Sequence, residues 1–311
     1  MRKKRYTVSC LSGDGIGPEV TAEASRALAV VSGMHGFQVE EVHVPFGGDA
    51  VRRLGHPLPQ VTRSACAEAD AMLVAATREP ALEVLKAELD LRWRITRVCA
   101  RGSELAVVSP LPEDAVELAV ESAFRLAFSL RARLTSVGTS DRWREALAAA
   151  GERWDGVVVE QQSFETVVTG LLREPAGFDV IASEQPFAEA LASTAAFAHA
   201  GTRMVASGRV GADGKGMFGP THGSALEIAG QGVANPSAML LAAALMLGEG
   251  LGERSAARTL ERGVLETLET GVRTPDMLSS GAGATTREFM DALLASLPAA
   301  RRDTEFAGAA A

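Results

Sequence analysis

The sequence predicts an α/β protein with a parallel-rich sheet flanked by helices, and three observations carry that prediction. Short β-prone runs alternate with longer amphipathic stretches from the N-terminus, in the order strand, helix, strand, helix, strand. That order gives parallel strands with covering helices. Glycine and proline punctuate the junctions without forming a repeat, a low-complexity tract or a Pro-rich linker. The chain has 311 residues, 47% hydrophobic and 23% charged, an ordinary globular composition with length for two domains or one large one.

Taken in order, Tyr6 to Leu11 is the first buried strand. Gly13, Gly15 and Gly17 permit a sharp turn, and Pro18 and Glu19 suit a helix's first turn. Val20 to Val31 has the spacing of an amphipathic helix. The turn lacks GxGxxG spacing, so no Rossmann fingerprint is read from it. Val39 to Val44 and Ala69 to Val74 are further strands, and Leu82 to Val98 reads as an amphipathic helix. Glu113 to Arg133 reads as a long helix and Leu134 to Val137 as a strand. Asp141 stands where a helix N-cap is expected, ahead of Arg142-Trp143-Arg144. Near the C-terminus, Ala238 to Leu251 and Ser255 to Thr270 are helices, Gly271 to Thr286 is a loop, and Arg287 to Leu297 is a final helix. Arg301 to Ala311 is expected to fray.

The stretch from Gly216 to Leu247 organises the chain. It begins as a loop of glycine, alanine and small polar residues and ends in an apolar run that reads as a buried helix. Asn235-Pro236 marks the change, since Asn caps free N–H groups and Pro suits the first turn. A Gly-rich loop feeding a helix N-terminus lets a nucleotide approach the backbone closely. The same pattern also serves as a tight connection between core elements.

A net charge of −8 argues against a nucleic-acid partner, which needs a basic face. The basic start Arg2-Lys3-Lys4-Arg5 leads into a strand rather than an apolar secretory segment, and the apolar residues at 238–247 are too few to span a membrane. Cys10, Cys66 and Cys99 do not have a metal-ligand spacing and read as core thiols in a reducing compartment, which points to the cytoplasm.

Within the organising stretch, His222-Gly223-Ser224-Ala225, Ile228-Ala229-Gly230, Gly232 and Ala234-Asn235-Pro236 resemble the cofactor loop of the β-decarboxylating dehydrogenases, the family of 3-isopropylmalate and isocitrate dehydrogenases. The resemblance continues through Gly13 to Val20, Pro45-Phe46-Gly47-Gly48, Gly55-His56-Pro57-Leu58-Pro59, Thr62, Phe178-Asp179-Val180-Ile181 and the Gly281-Ala282-Gly283 spacing. It covers nearly the whole chain, with one deletion near residue 100 and a smaller one near residue 141.

The resemblance implies an isopropylmalate-dehydrogenase-like two-domain fold, with residues 1–99 and 231–311 in a larger α/β domain and 100–230 in a smaller dimerisation domain. It implies a homodimer whose active sites borrow residues across the interface, here Thr139 and Glu165. It implies a small-molecule carboxylate substrate, Mg²⁺ or Mn²⁺, and NAD held by His222, Gly223, Ser224, Ala225, Glu227, Ile228 and Asn235. Glu227 stands where NAD-dependent members carry an aspartate on the adenosine ribose, and a carboxylate there repels the 2′-phosphate of NADP.

Several positions depart from the family pattern. Ala75-Ala76-Thr77-Arg78-Glu79-Pro80 replaces a Gly-Gly-Pro loop. Lys86 stands at the first substrate-binding arginine, and Arg94 or Arg97 at the second. A lysine pairs with a carboxylate but lacks the guanidinium fork. The family's general-acid tyrosine has no counterpart: the one tyrosine, Tyr6, lies on the first strand. Thr139 replaces the proton-transferring lysine, and a hydroxyl is a poor proton acceptor near neutral pH. Asp141 is an alternative base. The three metal-binding aspartates become Glu165, Glu189 and Ser193. Two carboxylates and water can hold Mg²⁺, yet each Glu is one methylene longer than Asp, and Mg²⁺ demands near-ideal geometry. Phe218-Gly219-Pro220 lacks the family's glutamate near the nicotinamide.

Two functional readings follow. One is NAD-dependent oxidation, with or without decarboxylation, of a malate-type 2-hydroxy acid. The other is a homologue without standard dehydrogenase activity: a regulatory partner, a ligand-binding protein or a non-redox enzyme on a related acid.

Overall fold

The strand–helix alternation is realised from the N-terminus as β1 (Arg5–Leu11), α1 (Gly17–His35), β2 (Gln38–His43), α2 (Gly47–Leu54), α3 (Gln60–Glu68), β3 (Ala71–Val74) and α4 (Ala81–Glu88). The middle of the chain forms β4 (Leu91–Ala100), β5 (Ser103–Pro110), α5 (Val116–Ser129), β6 (Arg133–Val137), α6 (Asp141–Gly151), β7 (Val158–Gln161), α7 (Phe164–Arg173), β8 (Val180–Ser183), α8 (Phe187–His199) and β9 (Val205–Gly211). The chain ends with β10 (Gly216–Pro220), α9 (Ser237–Leu245), α10 (Arg254–Glu269) and α11 (Thr286–Ala309). This computed structural model describes residues 3–77, 80–100, 103–199, 204–278 and 281–309. Arg2, Arg78, Glu79 and Ala311 lie outside the described residues.

Met1–Asp90 and Asp213–Ala311 form one unit, and Leu91–Ala212 the other. Residues 91–99 therefore fall in the second unit, because β4 pairs with β5 and β9. Residues 213–230 fall in the first, because β10 pairs with β3.

In the first unit the strands run β2-β1-β3-β10, all parallel. All four residues of β3 are buried, as a strand covered on both faces requires. Helix α1 turns Val20, Ala24, Ala27, Leu28 and Val31 inward, a stripe at helical spacing. It stops at Gly36, whose left-handed backbone lets its N–H reach the Ser32 carbonyl. Helix α9 is buried on every side, among β10, α1 and α10.

The second unit orders its strands β9-β4-β5-β8-β6-β7, with β4 antiparallel to both neighbours and the remaining pairs parallel. Its core joins Val98, Leu105, Val107, Val137, Val167, Leu171, Ile181 and Leu191. Trp143 is fully buried, and its indole N–H donates to Ser136 Oγ at 2.9 Å.

Four expectations are corrected. The segment Leu82 to Val98 is not one helix: α4 stops at Glu88 and β4 starts at Leu91. Trp93, Ile95, Thr96 and Val98 are aromatic or β-branched and pack better on a pleated surface than on a helix. Gly216 to Pro220 is a strand, not a loop. Gly219 lets it approach β3, since a Cβ there would lie 2.1 Å from the Val74 carbonyl oxygen. The helix expected over Glu113 to Arg133 is shorter: a 3₁₀ turn occupies Glu113–Ala115, and Arg133 opens β6. The expected frayed tail continues α11 as far as Ala309. No helix among the described residues is long and apolar enough to cross a membrane.

Candidate functional site

In the first unit, the loop after β10 is fastened at both ends. At its start, the Ile16 N–H donates to the Ser224 carbonyl at 2.9 Å. Gly15 makes this approach possible: it has φ +62°, and a Cβ there would lie 1.8 Å from that same oxygen. At its end, the Thr286 N–H donates to the Gly232 carbonyl at 2.8 Å and the Thr286 hydroxyl to the Ala234 carbonyl at 2.7 Å. Between these ties the chain carries Ala225 at φ +41°, then a 3₁₀ turn at Leu226–Ile228. His222 bonds through Nδ1 to the Gly223 carbonyl at 2.9 Å. Gly223, Gly230 and Gly232 face open space, and Glu227 is exposed. Asn235 is buried, and its side-chain oxygen accepts from the Ser237 N–H at 2.9 Å, where α9 begins. The loop thus combines fixed ends with an open, small-residue middle and one exposed carboxylate. Those features fit the adenosine end of a dinucleotide.

The same unit gathers a hub that the sequence reading passed over. Asp14 accepts from the Gly48 N–H at 2.9 Å and from the Thr77 hydroxyl at 2.6 Å. Its own N–H donates to the Ala76 carbonyl at 2.9 Å. One carboxylate therefore ties the loops that follow β1, β2 and β3, at the carboxyl ends where open parallel sheets bind ligands. Asp14 stood in a quoted motif, but its partners lie 34 and 63 residues away, beyond the reach of local pattern. Lys86, on α4, pairs with Glu83 at 2.6 Å. Tyr6 donates to Glu253 at 2.7 Å, and burial together with that carboxylate raises its pKa, so β1 holds it as a neutral phenol.

In the second unit, Arg94 on β4 reaches α8, where its Nη1 donates to Glu189 at 2.7 Å. Its Nε is buried and has no hydrogen-bond partner among the described residues. Arg209 on β9 stands directly across from Arg94, so two guanidinium-bearing residues share one face. Arg97 is three residues along the strand, hence on the opposite face, and pairs with Glu104 at 3.2 Å. The two alternatives for the second substrate-binding arginine are therefore divided between the faces of the sheet.

Thr139 and Asp141 sit where β6 gives way to α6. The Thr139 N–H donates to Glu184 Oε2 at 2.7 Å, and the Ser140 N–H to the same oxygen at 3.3 Å. Ser140, not Asp141, caps α6: its Oγ accepts from the Trp143 N–H at 3.1 Å. Asp141 is the first residue of the helix and is exposed beside Arg144, with which it pairs. Glu184, unassigned from sequence, organises this corner across a separation of 45 residues.

Glu165 is exposed on α7. Glu189 and Ser193 lie one turn apart on α8, both exposed. These two do not fit the small octahedral cation that the resemblance implies. The Glu189 carboxylate already faces a guanidinium, and Ser193 offers only a neutral hydroxyl.

Comparison with known proteins agrees with the fold. The isocitrate/isopropylmalate dehydrogenase family model matches residues 7–98 and 94–293. The 3-isopropylmalate dehydrogenase of Synechococcus sp. (strain CC9902) is 34% identical over 338 aligned positions, covering 89% of this chain and 95% of that protein. That of Pseudoalteromonas translucida (strain TAC 125) is 32% identical, covering 95% and 99%. Among solved structures, the β-decarboxylating dehydrogenase from Thermococcus kodakarensis superposes with a TM-score of 0.81 at 26% identity, covering 94% of this chain and 96% of that one. Isocitrate dehydrogenase from Methylococcus capsulatus gives a TM-score of 0.79 at 23% identity, covering 94% and 99%, and shares the fold. The chain belongs to the isocitrate/isopropylmalate dehydrogenase family, and its architecture is isopropylmalate-dehydrogenase-like.

Proposed function

We propose that this protein binds NAD through residues 222–235 and oxidises a malate-type 2-hydroxy acid, with or without decarboxylation, as a cytoplasmic homodimer. The observation that carries the reading is the tethered loop with its open glycine-rich middle. When bound, NAD supplies the hydride acceptor. Glu227 is placed to accept hydrogen bonds from a ribose and to repel a 2′-phosphate. Arg94, whose side chain is partly exposed, orients a substrate carboxylate. No step is routed through a divalent cation, because Glu189 and Ser193 do not fit one. Three buried cysteines outside any disulfide suit a reducing compartment.

The test is NADH absorbance across a panel of malate-type acids, followed by variants. Arg94→Ala is expected to lower kcat/KM about 10- to 100-fold, or ~1.4–2.7 kcal/mol of lost transition-state binding. Glu227→Ala is expected to narrow the preference for NAD over NADP. A second reading, a nucleotide- and acid-binding homologue without turnover, is supported by one arrangement: Asp141, the carboxylate nearest Thr139 in sequence, is committed to Arg144. Binding of NAD with no NADH from any acid in the panel would establish that reading over the first.

A further inference from the structure

A cluster of metal-ligating side chains lies in the first unit, apart from the loop after β10. Strands β1 and β2 run parallel with Cys10 opposite His43, and Glu41 two residues before His43. Alternation along a strand puts all three on one face. Their ligand atoms all lie within 4.8 Å of one another. Glu41 Oε2 is 3.8 Å from Cys10 Sγ and 3.1 Å from His43 Nε2, and it also accepts the Ser25 hydroxyl from α1. A thiol, a hydroxyl and an imidazole nitrogen therefore converge on one carboxylate oxygen.

We propose that Cys10, Glu41 and His43 form a binding site for a thiophilic divalent cation of the zinc class. In tetrahedral zinc sites the metal–sulfur distance is about 2.3 Å and the metal–nitrogen and metal–oxygen distances about 2.0–2.2 Å, which spaces neighbouring ligand atoms about 3.3–3.6 Å apart. The observed separations of 3.1 and 3.8 Å bracket that range, so small side-chain adjustments complete the triangle. One thiolate, one imidazole and one carboxylate suit zinc and disfavour Mg²⁺ or Ca²⁺, which take oxygen ligands. The Cys10 S–H is buried. Coordination displaces that proton to solvent and replaces a weak S–H donor with a metal–thiolate bond. The His43 side chain is 54% exposed, giving the ion an entry and leaving its fourth position open to water. The Ser25 hydroxyl donates to the same carboxylate and helps to hold it in place, as outer-shell partners do. This inference is independent of the NAD reading.

The test is titration of the purified full chain with Zn²⁺ against a chromophoric chelator, with Co²⁺ as a spectroscopic substitute. The expected result is one tight site per chain and a thiolate-to-cobalt charge-transfer band in the near ultraviolet. Cys10→Ser should abolish the band and Cys66→Ala should leave it. His43→Ala, an exposed change that does not threaten folding, should weaken Zn²⁺ binding at least tenfold. Absence of the band, its persistence in Cys10→Ser, or unchanged affinity in His43→Ala would overturn the proposal.

Discussion

At the scale of single residues, what a side chain can do here is set by its partner. Arg94 and Arg97 look interchangeable in sequence, yet strand alternation puts them on opposite faces, one beside Glu189 and the other beside Glu104. Arg94→Ala is therefore expected to weaken acid binding, while Arg97→Ala lowers stability and leaves acid affinity unchanged; a binding titration and a thermal melt separate the two. Cys66 makes a second prediction. It is buried, and burial pushes its thiol up to about 11. With the native pKa raised, the unfolded chain loses this proton first as pH rises. The thiol's contribution is thus complete below the unfolded pKa of about 8.5 and is lost toward pH 11, at about 1.4 kcal/mol per pH unit for one group. Urea titrations between pH 8 and 11 should show that slope, reduced in Cys66→Ala. Sequence identified Cys10, Cys66 and Cys99 as core thiols, and all three are buried. It could not show that Cys10 meets Glu41 and His43, because those contacts span strands.

At the scale of elements, sequence read well where hydrophobic period and turn chemistry agree. β1, α1, β2 and β3 lie close to their expected places, since Val20, Ala24 and Ala27 keep helical spacing and Gly13, Gly15 and Gly17 mark a required turn. The failures lie where the partner decides. The segment from Leu91 carries enough charge to mimic an amphipathic helix, and only pairing with β5 and β9 makes it a strand. The loop-like Gly216–Pro220 becomes β10 by docking beside β3. Two substitutions test the element-level account. Ser140→Ala removes the α6 cap and is expected to cost about 1 kcal/mol, lowering the melting temperature by roughly 2–4 °C. Gly15→Ala forces a Cβ against the Ser224 carbonyl at a left-handed backbone position. It should displace the loop after β10 and weaken NAD binding about tenfold, read by calorimetry beside a melt that shows the chain still folds.

At the scale of the molecule, the chain keeps the fold of the isocitrate/isopropylmalate dehydrogenase family. The resemblance sets Thr139, Ser193 and Gly219, all neutral, where the family carries charge, an expectation that rests on the motifs beside each of them. What those groups do instead was not legible, since Glu184, Asp14 and Arg209 act through partners far along the chain. Residues 222–235 are proposed to hold NAD. Calorimetric titration with NAD⁺ and NADH, on the parent chain and on Gly223→Trp, tests it most directly. Gly223 faces open space, so a bulky side chain there fills the cradle without disturbing the fold. The account predicts saturable binding to the parent chain and at least tenfold weaker binding to the folded variant. No binding of either form up to millimolar concentration, or equal binding by both proteins, would contradict it.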